Sequence, residues 1–253
     1  MTKTFDYYFD FGSLATYLVH TQMDKIKAET GASPVYLPML LGAVFKATGN
    51  VSPVSVPAKG KYLFVDFKRF ADSYGVPLET NPFFPITTTT LMRMLTGLQM
   101  RSDSRMHEFM DLIFKAIWVD ALNLNDPALI ECVLREAHFD PTELLHLANE
   151  QATKDRLKDV TTQAVERGVF GAPTFFVGEQ MFWGQDRIEQ LKSALKWLHD
   201  LTNLSHLLAT LHNTEAQGLK SVFEVFAKFL HDVIVFLELP IHLHFVSRLA
   251  VGI

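Results

Sequence analysis

The sequence predicts an α/β fold in which a small sheet is interrupted by a long helical block. Three observations predict it: a strand–helix–strand pattern in residues 5–39, a mostly helical pattern over about 40–167, and two short apolar runs followed by a helix in residues 174–199. Without the block, the order is βαβ followed by ββα, which suits one sheet with helices packed on it. The block is therefore expected to be an inserted all-helical domain.

The first strand–helix–strand unit lies at the start of the chain. Phe5–Phe9 is a short aromatic run bounded by Asp, which predicts a buried strand. Leu14–Ala28 has apolar residues at helical spacing, and Gly31 ends the helix in the usual position. Pro34–Met39 is the second apolar run. A crossover of this length is typical of two parallel strands.

The middle block carries six helical patterns. Asp126-Pro127 and Asp140-Pro141 each place a capping residue before a proline at the first helical position. The predicted helices are Tyr62–Tyr74, Ile86–Gln99, Arg105–Val119, Asp126–Ala137, Pro141–Ala148 and Gln151–Gly168.

The last core elements follow a proline. Thr174–Val177 and Met181–Trp183 flank the turn residues 178–180, which predicts a β-hairpin, and Asp186–His199 has the pattern of a helix. The whole order is that of a thioredoxin-like fold with a large inserted all-helical domain and a C-terminal helical extension. The expected boundaries are 1–50 with 165–200 for the thioredoxin-like domain, 51–164 for the inserted domain and 201–253 for the extension.

The C-terminal extension contains an amphipathic pattern. Residues 222–239 carry an apolar stripe with a period of 3.6, and charged residues interrupt the segment at Glu224, Lys228, Asp232 and Glu238. Those charges predict no membrane span. The stripe is expected to pack on this domain or on a partner subunit. Attachment to a membrane surface stays an alternative, although the polar face is not basic.

Composition narrows the function classes. The 253 residues carry a net charge of -5, which does not suit a general nucleic-acid binder. The single cysteine, Cys132, allows no intramolecular disulfide and is expected to be a buried, inert thiol. The first residues carry Asp6 and Asp10 and lack the apolar core of a signal peptide. Together these features predict a cytoplasmic enzyme or binding protein.

The first candidate site is the turn Asp10-Phe11-Gly12-Ser13 between the first strand and helix. A thioredoxin-like fold keeps its reactive group at this turn, where N–H groups and the helix dipole stabilise an anion. A redox enzyme would carry Cys-x-x-Cys here, but this chain has Ser13-Leu14-Ala15-Thr16. A serine does not exchange disulfides, although its hydroxyl could donate to a thiolate that a ligand brings. The alternative is that Ser13 is only an N-cap.

Two later segments complete the candidate site. A small residue before proline at a strand start, Ala172-Pro173, suggests a cis bond and an Ala172 backbone that is free to pair with an extended peptide. A trans proline is the alternative. Trp183-Gly184-Gln185-Asp186-Arg187 opens the last helix, where Asp186 could be a cap or could bind a ligand ammonium group such as a γ-glutamyl amine.

These segments carry a family resemblance over about residues 5–200. The matching residues are Tyr8-Phe9-Asp10-Phe11-x-Ser13, Gly49-Asn50-Val51, Lys59, Val169-Phe170-Gly171-x-Pro173-Thr174 and Phe182-Trp183-Gly184-Gln185-Asp186-Arg187. The chain resembles the 2-hydroxychromene-2-carboxylate isomerase family and its relatives, the kappa-class glutathione transferases. It departs from their pattern at Leu14, where proline is usual, at Phe45 followed by Lys46, and at Ile86 followed by four threonines.

The resemblance implies a cofactor, a site and an assembly. Glutathione would lie between the two domains, with its thiolate stabilised by Ser13 as the catalytic residue and its cysteinyl backbone paired with Ala172. Further cofactor-binding residues implied by the resemblance are Asn50 and Lys59, from a loop over the site, and Trp183, Gly184, Gln185 and Asp186. Lys59 also suits a carboxylate of glutathione or of a small aromatic acid substrate. The family suggests a homodimer. The residues predict no metal site, since a single cysteine does not make a cysteine-based zinc site.

Three functions stay open from the sequence. The first is a glutathione-dependent cis/trans isomerase that acts on 2-hydroxychromene-2-carboxylate or a similar aromatic pyruvate-type acid in aromatic compound catabolism. The second is a kappa-like glutathione transferase that uses another electrophile. The third is a binding protein that kept the fold and lost turnover, and the presence of Ser13, Asn50, Lys59 and Asp186 argues against it.

Overall fold

A computed structural model describes residues 3–197 and contains a four-stranded sheet with the order β2-β1-β3-β4. Strand β1 (Lys3–Phe9) pairs in parallel with β2 (Ala32–Pro38), and β3 (Thr174–Val177) pairs antiparallel with β1. Strand β4 (Gln180–Trp183) lies beside β3 at the sheet edge. The parallel opening unit and the late hairpin are both confirmed, and a segment of more than 130 residues separates β2 from β3.

Helix α1 (Leu14–Thr30) connects the two parallel strands. It begins after Ser13, whose side chain caps it, and ends at Gly31 with a φ of 66°. That left-handed conformation is the one that glycine adopts without steric cost, so Gly31 ends the helix as predicted.

The segment between β2 and β3 is helical, as predicted. Its helices are α2 (Leu41–Thr48), α3 (Pro57–Tyr74), α4 (Thr89–Met100), α5 (Met106–Trp118), α6 (Pro127–Glu136), α7 (Pro141–Asn149) and α8 (Gln151–Glu166). Asp126 and Asp140 cap α6 and α7 through their side chains, each with proline in the first turn. Helix α4 begins three residues later than the predicted start at Ile86, since residues 86–88 form no regular secondary structure.

The last described elements are a 3₁₀ turn and a helix. Gln185–Arg187 forms the 3₁₀ turn, and helix α9 covers 188–197, where the described residues end. Every residue of the candidate site belongs to one compact unit, Met1–Val177 with Met181–Lys192. The amphipathic pattern predicted for 222–239 lies outside the described residues.

Strand β1 carries aromatic side chains on both of its faces instead of alternating apolar and polar residues. Tyr7 and Phe9 stack at 5.0 Å on one face, and Tyr7 also stacks on Phe175 of β3 at 5.2 Å. On the other face Tyr8 packs with Phe176 in a cluster that includes residues of α8. Both faces are buried, so both need apolar side chains.

One prediction about packing is wrong. Cys132 is exposed and not buried, because α6 turns Val133 and Leu134 inward and places the thiol on the opposite side. The thiol contacts Glu136 at 3.4 Å, and this carboxylate raises the thiol pKa. Within residues 3–197, no helix is both long enough and apolar enough to span a membrane.

Candidate functional site

The turn before α1 is organised by Asp10. The Asp10 carbonyl accepts from the Ser13 N–H at 3.1 Å, and its side-chain Oδ1 accepts from the Gly12 N–H at 2.9 Å. An Asp that bonds its own backbone two residues later is a well-known way to set a tight turn. The turn fixes Ser13 at the N-terminal end of α1.

The Ser13 hydroxyl makes two hydrogen bonds. It accepts from the Thr16 N–H at 3.2 Å, which is the capping bond, and donates to the Ala172 carbonyl at 3.0 Å. The expectation that the Ala172 backbone is free is therefore wrong for its carbonyl, which the serine proton occupies. The same bond brings together two residues that are 159 positions apart in the chain.

The peptide bond between Ala172 and Pro173 is cis, as the sequence suggested. The segment around it is held on both sides: the Thr174 hydroxyl donates to the Gly171 carbonyl at 2.8 Å, and the Gly184 N–H donates to the Pro173 carbonyl at 3.0 Å. These bonds fix the segment opposite the Ser13 turn.

Trp183 lies against the start of this segment. Its ring is 4.9 Å from that of Phe170, and a Cβ on Gly171 would lie 2.5 Å from its Nε1. Only a glycine permits so close an approach of an indole to the backbone. The Trp183 side chain is 44% exposed, so it also presents a free surface beside the segment.

Asn50 reaches the same segment from the end of α2. Its side-chain NH₂ donates to the Phe170 carbonyl at 2.9 Å, and its Oδ1 accepts from the Val51 N–H at 2.8 Å. The residue is exposed. Its amide therefore ties the loop after α2 to residue 170 in the structure.

Lys59 lies on a helix, whereas a loop was expected. It is in the first turn of helix α3 and not in a loop, because Val56 precedes a proline that starts the helix. The side chain is exposed, and within residues 3–197 no carboxylate pairs with its ammonium group. Among residues 3–197, no hydrogen bond or ion pair joins Lys59 to the segment around Ala172.

Gly184, Gln185 and Asp186 lead into α9. Gly184 has a φ of 100°, and a Cβ there would lie 2.7 Å from the Asp186 carboxylate, so the position demands glycine. The exposed Asp186 carboxylate pairs with Arg187 at 2.6 Å. Gln185 is buried, and its carbonyl accepts from the Tyr74 hydroxyl at 3.4 Å.

The residues predicted for the site thus fall into two groups. Residues 170–173 contact Ser13, Asn50, Trp183 and Gly184 directly, and Gln185 and Asp186 follow without a break. Lys59 stands apart from this group in the described contacts.

Sequence reasoning missed the interactions that hold the turn from the helical block. The Asp10 carboxylate also accepts from the Thr88 hydroxyl at 2.6 Å and from the Leu41 N–H at 2.8 Å. The Trp118 indole donates to the Phe11 carbonyl at 2.9 Å. The only local signal was the Asp-x-Gly spacing of the turn, which predicts the bond to Gly12 and no other.

Asp10 is the most deeply buried charged group at the site. It is 2% exposed, and burial raises the pKa of its carboxyl while the bonds from Thr88, Gly12 and Leu41 act in the opposite direction. Three donors on one carboxylate favour the ionised form. In the part of the chain that is described, no group of three or more His, Cys, Asp or Glu side chains could hold a metal ion.

Comparison with known proteins identifies the fold and the family. The family model for the DSBA-like thioredoxin domain matches residues 4–196. A 2-hydroxychromene-2-carboxylate isomerase of Pseudomonas putida is 31% identical over 192 residues, which are 75% of this chain and 93% of the relative.

One solved structure and one more distant sequence relative are also similar to this chain. A solved 2-hydroxychromene-2-carboxylate isomerase superposes with a TM-score of 0.68 and 30% identity, over 79% of this chain and 98% of that one. Glutathione S-transferase kappa 1 of Caenorhabditis elegans is 26% identical over 203 residues, 76% of this chain and 90% of that protein. The chain therefore belongs to the DSBA-like thioredoxin family and, within it, to the family of the 2-hydroxychromene-2-carboxylate isomerases.

Proposed function

We propose that the protein is a glutathione-dependent cis/trans isomerase of 2-hydroxychromene-2-carboxylate or a similar aromatic pyruvate-type acid, in aromatic compound catabolism. The observation that carries the proposal is the position of the Ser13 hydroxyl, 3.0 Å from the carbonyl that precedes the cis proline. A hydroxyl donor at a helix N-terminus, where this fold usually carries a cysteine, suits a sulfur that the cofactor supplies.

The residues present fit glutathione. A γ-glutamyl peptide needs a backbone partner, a donor for its thiolate and groups for its charged ends. The site has the Ala172 carbonyl, the Ser13 hydroxyl and the Asp186 carboxylate, and Lys59 would have to reach the peptide from helix α3. The residues that would hold it are Ser13, Asn50, Lys59, Ala172, Trp183, Gly184, Gln185 and Asp186. Asp186 would take an ammonium group in exchange for Arg187, and Lys59 a carboxylate of the cofactor or substrate.

The Ser13 proton must move for this role. In the structure it is donated to the Ala172 carbonyl, so a serine that stabilises a thiolate has to leave that carbonyl. An amide N–H of a bound peptide can replace it, because antiparallel pairing brings such a group to the residue before the cis proline. Ser13 would keep its capping bond from Thr16 throughout, since that bond uses a lone pair and not the proton.

When bound, glutathione supplies a thiolate that adds to a conjugated carbon and leaves after a bond has rotated. The Ser13 hydroxyl would donate a hydrogen bond to that sulfur and so favour its anionic form. A hydrogen bond to a charged group is worth about 1.5–3 kcal/mol, which corresponds to a thiol pKa lowered by about one to two units.

The experiment is turnover of 2-hydroxychromene-2-carboxylate followed by absorbance, with and without glutathione, for wild type and Ser13→Ala. We expect no turnover without glutathione and a loss of about 10- to 100-fold for the variant, from the bond energy above. The thiol pKa of bound glutathione, measured by thiolate absorbance, should rise in Ser13→Ala. Turnover that does not depend on glutathione would refute the mechanism.

A kappa-like transferase is the second candidate, favoured by the similarity to a kappa-class glutathione transferase. Both functions use Ser13 in the same way and differ in the electrophile. Conjugation of model electrophiles without isomerisation would decide for the transferase.

We further propose that the protein is a cytoplasmic homodimer with its domains divided as 1–50 with 165–200, 51–164 and 201–253. The single cysteine supports the cytoplasmic location, and the apolar stripe of 222–239 supports the dimer. Light scattering tests the dimer. Deletion of 202–253 should leave glutathione binding intact, and loss of binding in a folded truncation would contradict the proposed boundary.

A further inference from the structure

The Asp10 carboxylate lies where three helices begin. Its oxygens accept from Gly12 beside the start of α1, from Leu41 at the first position of α2, and from Thr88 immediately before α4. Helix N-termini carry partial positive charge, so this placement offsets part of the cost of burying the carboxylate. The arrangement joins the catalytic turn to two helices of the segment between β2 and β3.

Thr88 serves Asp10 and not its own helix. It occupies the capping position of α4, yet its side chain makes no capping hydrogen bond. Its hydroxyl is buried and donates to Asp10 at 2.6 Å. The Thr88 hydroxyl therefore binds the Asp10 carboxylate and does not cap helix α4.

A third bond from the helical segment, after those of Leu41 and Thr88, also holds this turn. Trp118, at the end of α5, is buried and donates to the Phe11 carbonyl at 2.9 Å. The turn of residues 10–13 therefore receives one donor from α2, one from the segment before α4 and one from α5. Its geometry is set as much by the helical block as by the sheet.

We propose that Asp10 is a positioning residue for Ser13 and that Thr88 anchors Asp10 to the helical block. The carboxylate accepts from the Gly12 N–H, the Asp10 carbonyl accepts from the Ser13 N–H, and together these bonds fix the turn from which the Ser13 hydroxyl would reach the sulfur of the cofactor. The inference rests on the proposed function for its chemical consequence, and the geometry of the turn can be tested without it.

The direction in which the thiol pKa of bound glutathione changes on removal of Asp10 distinguishes a positioning role from a purely electrostatic one. If Asp10 acted only as a nearby negative charge, its removal would stabilise a thiolate and lower the thiol pKa of bound glutathione. If it positions Ser13, its removal takes the hydroxyl away from the sulfur and raises that pKa. The two roles predict opposite shifts.

The test uses Thr88→Val and Thr88→Ser as a matched pair, because serine keeps the hydroxyl and valine keeps the shape. Asp10→Asn is the direct variant. Asp6→Asn is the control, since Asp6 lies on β1 before the turn and pairs with Arg167. The first measurement is amide hydrogen exchange of the peptide that contains Gly12 and Ser13 in the ligand-free protein. The second is the thiol pKa of bound glutathione.

We expect exchange at the turn to be about fivefold faster in Thr88→Val and Asp10→Asn, the factor for one ordinary hydrogen bond, and unchanged in Thr88→Ser and Asp6→Asn. The thiol pKa should rise by up to about one unit in the first two variants. Unchanged exchange in both would overturn the proposal, as would a lowered thiol pKa in Asp10→Asn. If wild type leaves the thiol pKa of glutathione at its free value, the proposed function fails, and the exchange data still decide the positioning.

Discussion

Replacing Gly171 by alanine tests the contact between Trp183 and the segment before the cis proline. The added Cβ would lie 2.5 Å from the indole Nε1 and 3.1 Å from Cε2. An ordinary contact is about 3.5 Å, so the ring must move by about 1 Å. Because the ring is partly exposed it can yield, and we expect a cost near the lower end of the range for overpacking, about 1–2 kcal/mol in the free energy of unfolding.

The same change in the Trp183→Ala background should reverse its sign. Gly171 lacks a left-handed φ, so alanine fits its backbone and restricts the unfolded chain, a gain of about 0.4–1 kcal/mol once the indole is absent. Urea denaturation of the four proteins gives the coupling energy, expected at about 1.5–3 kcal/mol. Equal destabilisation by alanine in both backgrounds would refute the steric argument. A Gly178→Ala control adds a methyl group that meets no atom within 4 Å but stands at a φ of 60°, so it isolates backbone strain from contact.

Three further predictions concern single side chains. The Thr16 hydroxyl is buried without a hydrogen-bond partner among the described residues. Thr16→Val should therefore raise the free energy of unfolding by about 1 kcal/mol in urea titrations. A fall of about 1 kcal/mol in the free energy of unfolding would instead show that the hydroxyl has a partner. Burial raises the pKa of Asp10, so this carboxyl contributes stability that is present below its ordinary value of 3.8 and lost as pH rises through the folded-state pKa. The stability of wild type relative to Asp10→Asn should therefore fall as pH rises above 3.8, and a rise would show the opposite shift. Glu136 raises the thiol pKa of Cys132, so Glu136→Gln should speed alkylation of that thiol by iodoacetamide near neutral pH, with equal rates as the contrary result.

Local chemistry explains what could be predicted from sequence. Ser13 could be placed because a capping serine at a strand–helix junction is a short-range signal, and Ala172-Pro173 because a small residue before proline at a strand start is another. The position of Lys59 was predicted less well, since Pro57 starts a helix where a loop was expected. Local patterns place a residue on an element but do not give its distance from a partner.

Long-range contacts account for what could not be predicted. Thr88 and Trp118 reach the turn from 78 and 107 residues away, and no spacing rule connects a threonine run or a tryptophan to Asp10 or Phe11. Cys132 was misplaced for a related reason. Its residue type suggests burial, whereas the direction of the α6 face depends on which side packs against the neighbouring helices.

The strand order has a consequence for how the chain matures during synthesis. Strand β1 lies between β2 and β3, and β3 is translated more than 130 residues after β2. During synthesis, β1 can therefore pair with β2 early. The other edge of β1 stays unpaired until β3 has been translated, and Tyr7 and Phe9 lack their neighbours from β3 until then. An unpaired aromatic edge of this kind is prone to aggregation, so yield in cells should respond to chaperone supply and translation speed more than the stability of the finished protein suggests.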